Sequence, residues 1–314
     1  MLISIVTTLY RSAPYLQEFY ERSRRAAEKI SPDYEILLVN DGSPDDSLDR
    51  ALAIQRQDSR VVVIDLSRNF GHHRAMMTGL SYARGEYIFL LDGDLEEEPE
   101  WLLTFYDLLR KETLDVVYGV QQHRKGGIFE QWSGALFYKM FNLLSSTSIP
   151  ANSVIARLMT RRYVVHLLRH REREVFLPGL WQLTGYPQRP WPVTKLSKGA
   201  SSYSLARRIA LFVNAITSFS DRPLVYIFYT GACLCMASSL YIARLLYLKW
   251  SRGISLMGWP SLIVSIWFLG GLTIFFLGIL GVYLAKIYRE IKHRPYTLVR
   301  DVFPPSQPVV PLDD

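Results

Sequence analysis

Two long stretches without a charged side chain constrain the fold of this chain most. Residues 224–243 and residues 259–285 contain no Asp, Glu, Lys or Arg. As helices, both are long enough to cross about 30 Å of hydrocarbon. The alternative, a buried helix of a soluble core, fits such lengths poorly. The sequence therefore predicts two transmembrane helices joined by a short loop.

The basic residues around these stretches predict their orientation. The formal net charge of the 314 residues is +7. Basic residues before the first stretch and after the second are Arg207, Arg208, Arg222, Lys286, Arg289, Lys292, Arg294 and Arg300, whereas the connecting loop has Lys249 and Arg252. Because cytoplasmic segments are rich in Lys and Arg, both ends of the chain should lie in the cytoplasm. A membrane surface and anionic substrates then account for the basic charge, without a nucleic acid partner.

The first 120 residues alternate between short apolar runs and helical patterns. Strands are predicted at residues 2–10, 34–39, 61–66, 87–91 and 115–120, with helices between them. The runs are apolar without alternation, as expected when both faces of a sheet are covered. The sequence therefore predicts an α/β domain with a mostly parallel sheet.

The remainder of the chain divides by composition. Helices are predicted at residues 129–144 and 161–173, followed by turns and strands at 178–204. Residues 205–219 have apolar side chains at helical spacing and predict an amphipathic helix in the membrane interface, with an ordinary core helix as the alternative. The expected organisation is an α/β domain (1–204), a juxtamembrane helix (205–222), two spans (223–286) and a basic cytoplasmic tail (287–314) whose Pro-rich end is disordered.

Polar clusters follow three of the predicted strands. They are Thr7-Thr8-Leu9-Tyr10, Asn40-Asp41-Gly42-Ser43 and Asp92-Gly93-Asp94. Consecutive parallel strands bring their carboxyl ends to one edge of the sheet, which is where open α/β folds bind ligands. The two alternate carboxylates after residue 91 suit Mg²⁺ or Mn²⁺ that holds substrate phosphates. Taken alone, the aspartate pair could equally be a solvated turn, and Asp41 a turn residue.

The order of these motifs resembles family 2 glycosyltransferases with a GT-A fold, which is a Rossmann-like α/β fold. The motifs are Val39-Asn40-Asp41-Gly42-Ser43-Pro44-Asp45-Asp46-Ser47, Ser67-Arg68-Asn69-Phe70-Gly71, Leu91-Asp92-Gly93-Asp94-Leu95-Glu96 and Val117-Tyr118-Gly119-Val120. With its two C-terminal spans, the chain is similar to the polyisoprenyl-phosphate glycosyltransferases, which include bactoprenol glucosyltransferases and dolichol-phosphate mannose synthases. The resemblance runs from about residue 2 to residue 290.

The resemblance implies roles for the residues of the donor site. Nucleotide-sugar binding falls to Thr8, Tyr10, Asp41, His72, Asp92 and Gly93. Among these, Asp41 reads the base, and His72 contacts the diphosphate at a helix start. Asp92 and Asp94 hold Mg²⁺ or Mn²⁺, which stabilises the charge of the leaving diphosphate. Glu96 is implied as a further catalytic carboxylate, either beside the metal or as a base. Glu97 and Glu98 are expected to be solvated at the start of the helix that follows Pro99, where the helix dipole favours anions.

A phosphate acceptor needs cations more than a base, because a phosphomonoester with a second pKa near 6 is already anionic. The resemblance implies Arg124, Arg157, Lys198 and Ser201 as the acceptor site, with Arg157 also catalytic. The chain departs from the family pattern here. Ile155 stands near the position of a usual Asp before this arginine, and Ser202 replaces a usual Lys. These departures favour a donor sugar that differs from those of most relatives.

The implied function is membrane-bound, inverting transfer of a sugar from a nucleotide donor to a polyprenyl phosphate of the undecaprenyl type. The donor nucleotide, UDP, GDP or dTDP, stays open, as does a homo-oligomeric state. The implied location is the cytoplasmic membrane of a bacterium, with two spans and a cytoplasmic catalytic domain. Two alternatives remain: a transferase acting on another lipid acceptor, and a non-catalytic membrane scaffold that retains the GT-A fold.

Overall fold

The structure is a computed structural model that describes residues 1–121, 150, 152–172, 175–195, 222–252 and 258–312. These residues fall into two compact units. The first contains the described residues up to 195 together with 293–312, and the second contains 222–252 and 258–292. The helix predicted at 129–144 and the amphipathic helix predicted at 205–219 lie outside the described residues.

An eight-stranded mixed sheet forms the centre of the first unit. Its strands are β1 (Ile3–Leu9), β2 (Tyr34–Asn40), β3 (Val61–Leu66), β4 (Tyr87–Leu90), β5 (Val116–Gln121), β6 (Ser153–Thr160), β7 (Gln188–Val193) and β8 (Val299–Phe303). The spatial order is β7-β5-β6-β4-β1-β2-β3-β8. Strand β1 pairs in parallel with β2 and with β4. The pairs β2–β3 and β5–β7 are also parallel. The predicted mostly parallel sheet is therefore correct for its centre.

Six helices of the described residues accompany this sheet. They are α1 (Leu16–Glu28), α2 (Ser47–Gln57), α3 (His72–Tyr82), α4 (Trp101–Glu112), α5 (Arg161–Leu167) and α6 (Leu177–Leu183). Every residue of β1, β2 and β3 is buried, which agrees with apolar runs that lack alternation. Helix α5 ends six residues earlier than its basic pattern predicted. Its N-cap is Thr160, whose side chain accepts the backbone N–H of Tyr163.

Strand β6 was not predicted. It is antiparallel to both of its neighbours, pairing Leu90 of β4 with Arg157 and Val117 of β5 with Leu158. Its polar residues, Arg157 among them, interrupt the apolar run that marks a buried strand in the sequence. Strand β6 separates β4 from β5, and its amino end lies at the edge where β4 ends.

The C-terminal segment, described up to residue 312, contains a strand that was not predicted. Strand β8 pairs antiparallel with β3 and completes the sheet at that edge. Beyond it, the backbone N–H groups of Val309 and Val310 donate to the carbonyl of Ser81. The sequence did not indicate β8 because its partner, the open edge of β3, is far away along the chain.

The second unit contains two long helices, α7 (Arg222–Arg252) and α8 (Trp259–Ile291). Each predicted span lies within one of them. Within the part of the chain that the structure describes, one segment, Ser265–Ile291, is long and apolar enough by length and composition to cross a membrane. Many of its large apolar side chains, such as Trp267, Ile274 and Leu284, are exposed. The second predicted span is thus consistent with the structure, and the first remains a prediction.

Candidate active site

Three polar strand ends meet at one edge of the sheet, as the sequence predicted. Strands β4, β1 and β2 are adjacent and parallel, so their carboxyl ends lie side by side. These ends carry Asp92, Thr8 and Asp41 respectively. Tyr10, which follows β1, is 49% exposed at the same edge.

Asp41 is buried and holds the loop that follows β3. Its two carboxylate oxygens accept the backbone N–H groups of Phe70 (2.7 Å) and Gly71 (3.0 Å). The side-chain amide of Asn69 donates to the carbonyl of Asp41 (3.1 Å). Burial raises the pKa of Asp41, and the two amides offset part of that rise. The residue implied to read a base therefore also shapes the loop at residues 67–71.

His72 bridges the ends of β1 and β4. Its Nδ1 lies 2.9 Å from Thr8 Oγ1, and its Nε2 lies 3.0 Å from Asp92 Oδ1. Partial desolvation would lower the pKa of His72, but the bond to Asp92 and the charges of Asp92, Glu97 and Asp41 together outweigh it, and the pKa is raised. At the start of α3, the imidazole therefore stands between two residues that the resemblance assigns to nucleotide-sugar binding.

The Asp92-Gly93-Asp94 segment is tightly fitted. A Cβ at Gly93 would lie 2.9 Å from Thr7 Oγ1 and 3.2 Å from the carbonyl oxygen of Thr8. Asp94 Oδ1 accepts the backbone N–H of Glu96 (2.9 Å), which closes a short turn after the strand. Only glycine fits between the two aspartates without moving β1.

Glu97 is the residue that the sequence interpretation placed wrongly. It was expected to be solvated at the start of α4, yet it is 0% exposed. Its Oε2 accepts the N–H of Asp92 (3.2 Å), and its Oε1 accepts the N–H of Ile155 in β6 (3.0 Å). Burial, followed by the nearby charge of Asp92, raises the pKa of Glu97 to about 7.

Lys195 was missed by the sequence interpretation. It follows β7, and its Nζ lies 3.1 Å from Glu97, 3.8 Å from Asp92 and 3.8 Å from Glu96. Burial would lower the pKa of Lys195, but the surrounding carboxylates raise it overall. The ammonium group therefore neutralises part of the acidic cluster, which we define as Asp92, Asp94, Glu96 and Glu97.

Arg157 of β6 is 1% exposed, which is unusual for an implied phosphate-binding residue. Its guanidinium donates to the carbonyls of Ile155 (3.1 Å) and Val154 (3.2 Å) and lies over the ring of Trp181. Burial lowers its pKa to about 9. These contacts hold the amino end of β6. The other implied acceptor residues, Arg124, Lys198 and Ser201, lie outside the described residues.

The donor set suits a hard divalent ion. Asp92 and Asp94 supply carboxylate oxygens at the sheet edge, and Mg²⁺ commonly binds through one or two carboxylates together with substrate phosphates and water. Among the described residues no group of three or more His, Cys, Asp or Glu side chains could hold a metal ion by itself. An ion held by the aspartate pair would therefore need phosphate or water ligands to complete its coordination.

Known proteins resemble this chain along most of its length. The profile of glycosyl transferase family 2 matches residues 4–168, which run from β1 to α5. A glycosyltransferase of Mycobacterium tuberculosis (strain CDC 1551 / Oshkosh) is 47% identical over 308 residues, covering 96% of this chain and 89% of the relative. The glycosyltransferase YkcC of Bacillus subtilis (strain 168) is 34% identical, covering 95% and 93%.

A third relative, the bactoprenol glucosyl transferase of Shigella phage SfV, is 31% identical over 306 residues, covering 96% of this chain and 99% of the relative. The family match spans more than half of the chain, and these relatives align along nearly its whole length. With its mixed α/β, GT-A-like sheet, the chain belongs to glycosyl transferase family 2 and is a glycosyltransferase.

Proposed function

We propose that this glycosyltransferase moves a sugar from a nucleotide donor to a polyprenyl phosphate at the cytoplasmic face of a bacterial membrane, with inversion at the anomeric carbon. One observation carries the proposal. The bactoprenol glucosyl transferase of Shigella phage SfV aligns with 96% of this chain, including the long apolar helices that follow the α/β unit. A membrane-embedded acceptor lipid is a reason for an enzyme of this kind to have such helices.

The donor would bind at the edge formed by β4, β1 and β2. Asp92 and Asp94 would hold Mg²⁺ or Mn²⁺, which supplies positive charge for the departing nucleoside diphosphate. His72 is placed between Thr8 and Asp92, and its raised pKa favours a second positive charge beside that diphosphate. Tyr10 and Asp41 frame the nucleoside side of this edge.

The chemistry is a single displacement. An acceptor phosphate oxygen forms a bond to the anomeric carbon, while the bond from that carbon to the diphosphate oxygen breaks and its electron pair stays with the diphosphate. The acceptor is already anionic near neutral pH, so it has no proton to lose. Glu96 lies 3.8 Å from Lys195 and is not required as a base.

The acceptor phosphate needs cations. Arg124, Lys198 and Ser201 are proposed for this role by resemblance. Arg157 is buried under Trp181, so we assign it to positioning the amino end of β6 rather than to direct contact. Its lowered pKa, about 9, still leaves it positively charged at neutral pH, so its field favours a nearby phosphate.

The test uses the full chain purified in detergent. Undecaprenyl phosphate is supplied with labelled UDP-, GDP- and dTDP-sugars, and label in the lipid extract is measured with MgCl₂, with MnCl₂ or with EDTA. We expect product with one donor and only when metal is present. The Asp94→Asn variant should lose turnover by at least about a hundredfold, in the range of removing one transition-state interaction.

The matched control is Asp107→Asn, which removes an exposed carboxylate from α4 and should turn over like the wild type. Full turnover by Asp94→Asn would remove the metal role from this residue. Absence of lipid product across the whole donor panel would contradict the proposed acceptor and would favour another lipid.

A further inference from the structure

The chain that follows the membrane-length helix α8 returns to the α/β unit. Tyr296 is 2% exposed and Thr297 is 7% exposed. The hydroxyl of Thr297 lies 2.8 Å from that of Thr78 on α3. Strand β8 then pairs with β3. This segment, residues 296–303, is therefore an integral part of the domain, and we call it the C-terminal clasp.

The clasp holds the point where β3 ends and the loop at residues 67–71 begins. The backbone N–H of Ser67 donates to the carbonyl of Leu298 (2.8 Å). The guanidinium of Arg300 donates from Nη2 to the carbonyl of Ser67 (2.8 Å) and lies 3.3 Å from Asp65 through Nη1. Both backbone polar groups of Ser67 are thus bound by the clasp.

The other end of this loop is bound by Asp41. Phe70 and Gly71 donate their backbone N–H groups to the Asp41 carboxylate. The loop also lies directly on Gly42, where a Cβ would collide with the backbone nitrogen of Asn69. The conformation of residues 67–71 is therefore fixed from two sides, by the clasp and by Asp41.

Asp65 links the two sides a second time. It is 3% exposed, and its Oδ1 accepts the side-chain amide of Asn40 (2.7 Å), the residue before Asp41. Its Oδ2 faces Arg300 (3.3 Å). Without Arg300, a buried carboxylate beside Asn40 would lose its cation, which is costly in a buried setting.

We propose that the C-terminal clasp positions the donor-nucleotide side of the active site, with Arg300 as its positioning residue. The inference rests on the proposed function, because it assumes that the edge around Asp41 binds a nucleotide. Arg300 has no assigned contact with the substrate. It acts through Ser67 and Asp65 on the loop whose amides orient Asp41 and whose end leads into His72.

Two measurements test this in the full chain. Hydrogen exchange is followed by mass spectrometry on peptides that cover residues 67–71 and, for comparison, α1. Binding of UDP, GDP and dTDP is measured by calorimetry in MnCl₂, and the nucleotide that the wild type binds serves as the probe. The variants are Arg300→Ala and Arg300→Lys, with Arg110→Ala, an exposed arginine of α4, as the control.

In Arg300→Ala we expect exchange about tenfold faster at residues 67–71 with α1 unchanged, and a nucleotide Kd raised about three- to tenfold. Arg300→Lys should recover part of both effects, since it keeps the charge beside Asp65.

Two results in Arg300→Ala would overturn the role of the clasp. One is a wild-type exchange rate at residues 67–71, and the other is faster exchange with an unchanged nucleotide Kd. A wild type that binds none of the three nucleotides would overturn the proposed donor site, and with it this role, while the exchange data would still show whether the clasp holds the loop.

Discussion

The buried carboxylate of Glu97 accepts the backbone N–H of Asp92. Because its other oxygen accepts the N–H of Ile155, the same side chain joins the end of β4 to the start of β6. Glu97 therefore fixes the backbone position of Asp92, the first residue of the aspartate pair, relative to β6. Its neighbour in the sequence, Glu96, forms an ion pair with Lys195, and within the described residues no hydrogen bond from Glu96 to β6 is found.

Glu97→Gln should destabilise the protein and impair turnover. An amide offers one acceptor oxygen and an NH₂ group, so one of the two backbone N–H groups would face a donor and lose its partner. Leaving one buried donor unsatisfied costs about 1–3 kcal/mol. Urea unfolding in detergent measures this loss. The control is Glu98→Gln, one residue away, which should be nearly neutral. Equal stability of both variants would contradict the support assigned to Glu97.

Lys195→Met should increase the affinity for Mn²⁺. The wild-type ammonium lies within 3.8 Å of Asp92 and Glu96, so it repels a divalent ion that approaches the same carboxylates. We expect a Kd for Mn²⁺ about three- to tenfold lower, read by electron paramagnetic resonance in the absence of nucleotide. Lys29→Met, at the end of α1, is the control. A weaker Mn²⁺ affinity would show that Lys195 supports the ion site instead of opposing it.

Gly93→Ala should reduce turnover strongly. The added methyl group would meet Thr7 Oγ1 at 2.9 Å and a backbone carbonyl oxygen at 3.2 Å, so β1 and β4 must separate or the aspartates must turn. Overpacking of this kind costs about 1–3 kcal/mol. Thermal unfolding and lipid-product formation are measured together. Gly231→Ala of α7 is the control, because nothing lies within 4 Å of the position that its methyl group would occupy. Normal turnover in Gly93→Ala would rule out the tight fit described here.

Acid stability should depend on His73. Burial, together with repulsion from His72, lowers its pKa from 6.5 to about 4. Between these values the unfolded chain binds a proton that the folded chain does not, so stability falls as the pH drops through this window. His73→Gln should remove this part of the decline, a few kcal/mol at most. Urea midpoints at pH 7.5 and pH 5 check it, with exposed His293→Gln as control. Parallel acid losses in wild type and His73→Gln would contradict the assignment.

The first half of the fold could be predicted because its signals are local. The apolar run at residues 61–66 is the observed β3, and the polar residues after β1, β2 and β4 do meet at one edge. Adjacent parallel strands place their carboxyl ends at the same edge of a sheet, whatever conformation the connecting loops adopt. Thr8 and Asp92, both assigned from the sequence, are joined through His72 in the structure.

The remainder could not be predicted because its signals are tertiary. In the run Glu96-Glu97-Glu98 the three side chains look alike, and only the position of Ile155 makes the middle one a buried acceptor. That position depends on β6, which was not predicted as a strand because Arg157 interrupts its apolar run. Lys195 is one of many basic residues, and only the path of the chain after β7 brings it to the acidic cluster.

The place of β8 in the chain also has a consequence for biosynthesis. The ribosome makes β3 early and β8 only after both long helices, so the outer edge of β3 stays unpaired throughout elongation. An unpaired edge invites association with other strands. A nascent chain that stalls before residue 299 thus carries an exposed strand edge, which is covered only once residues 299–303 have been made.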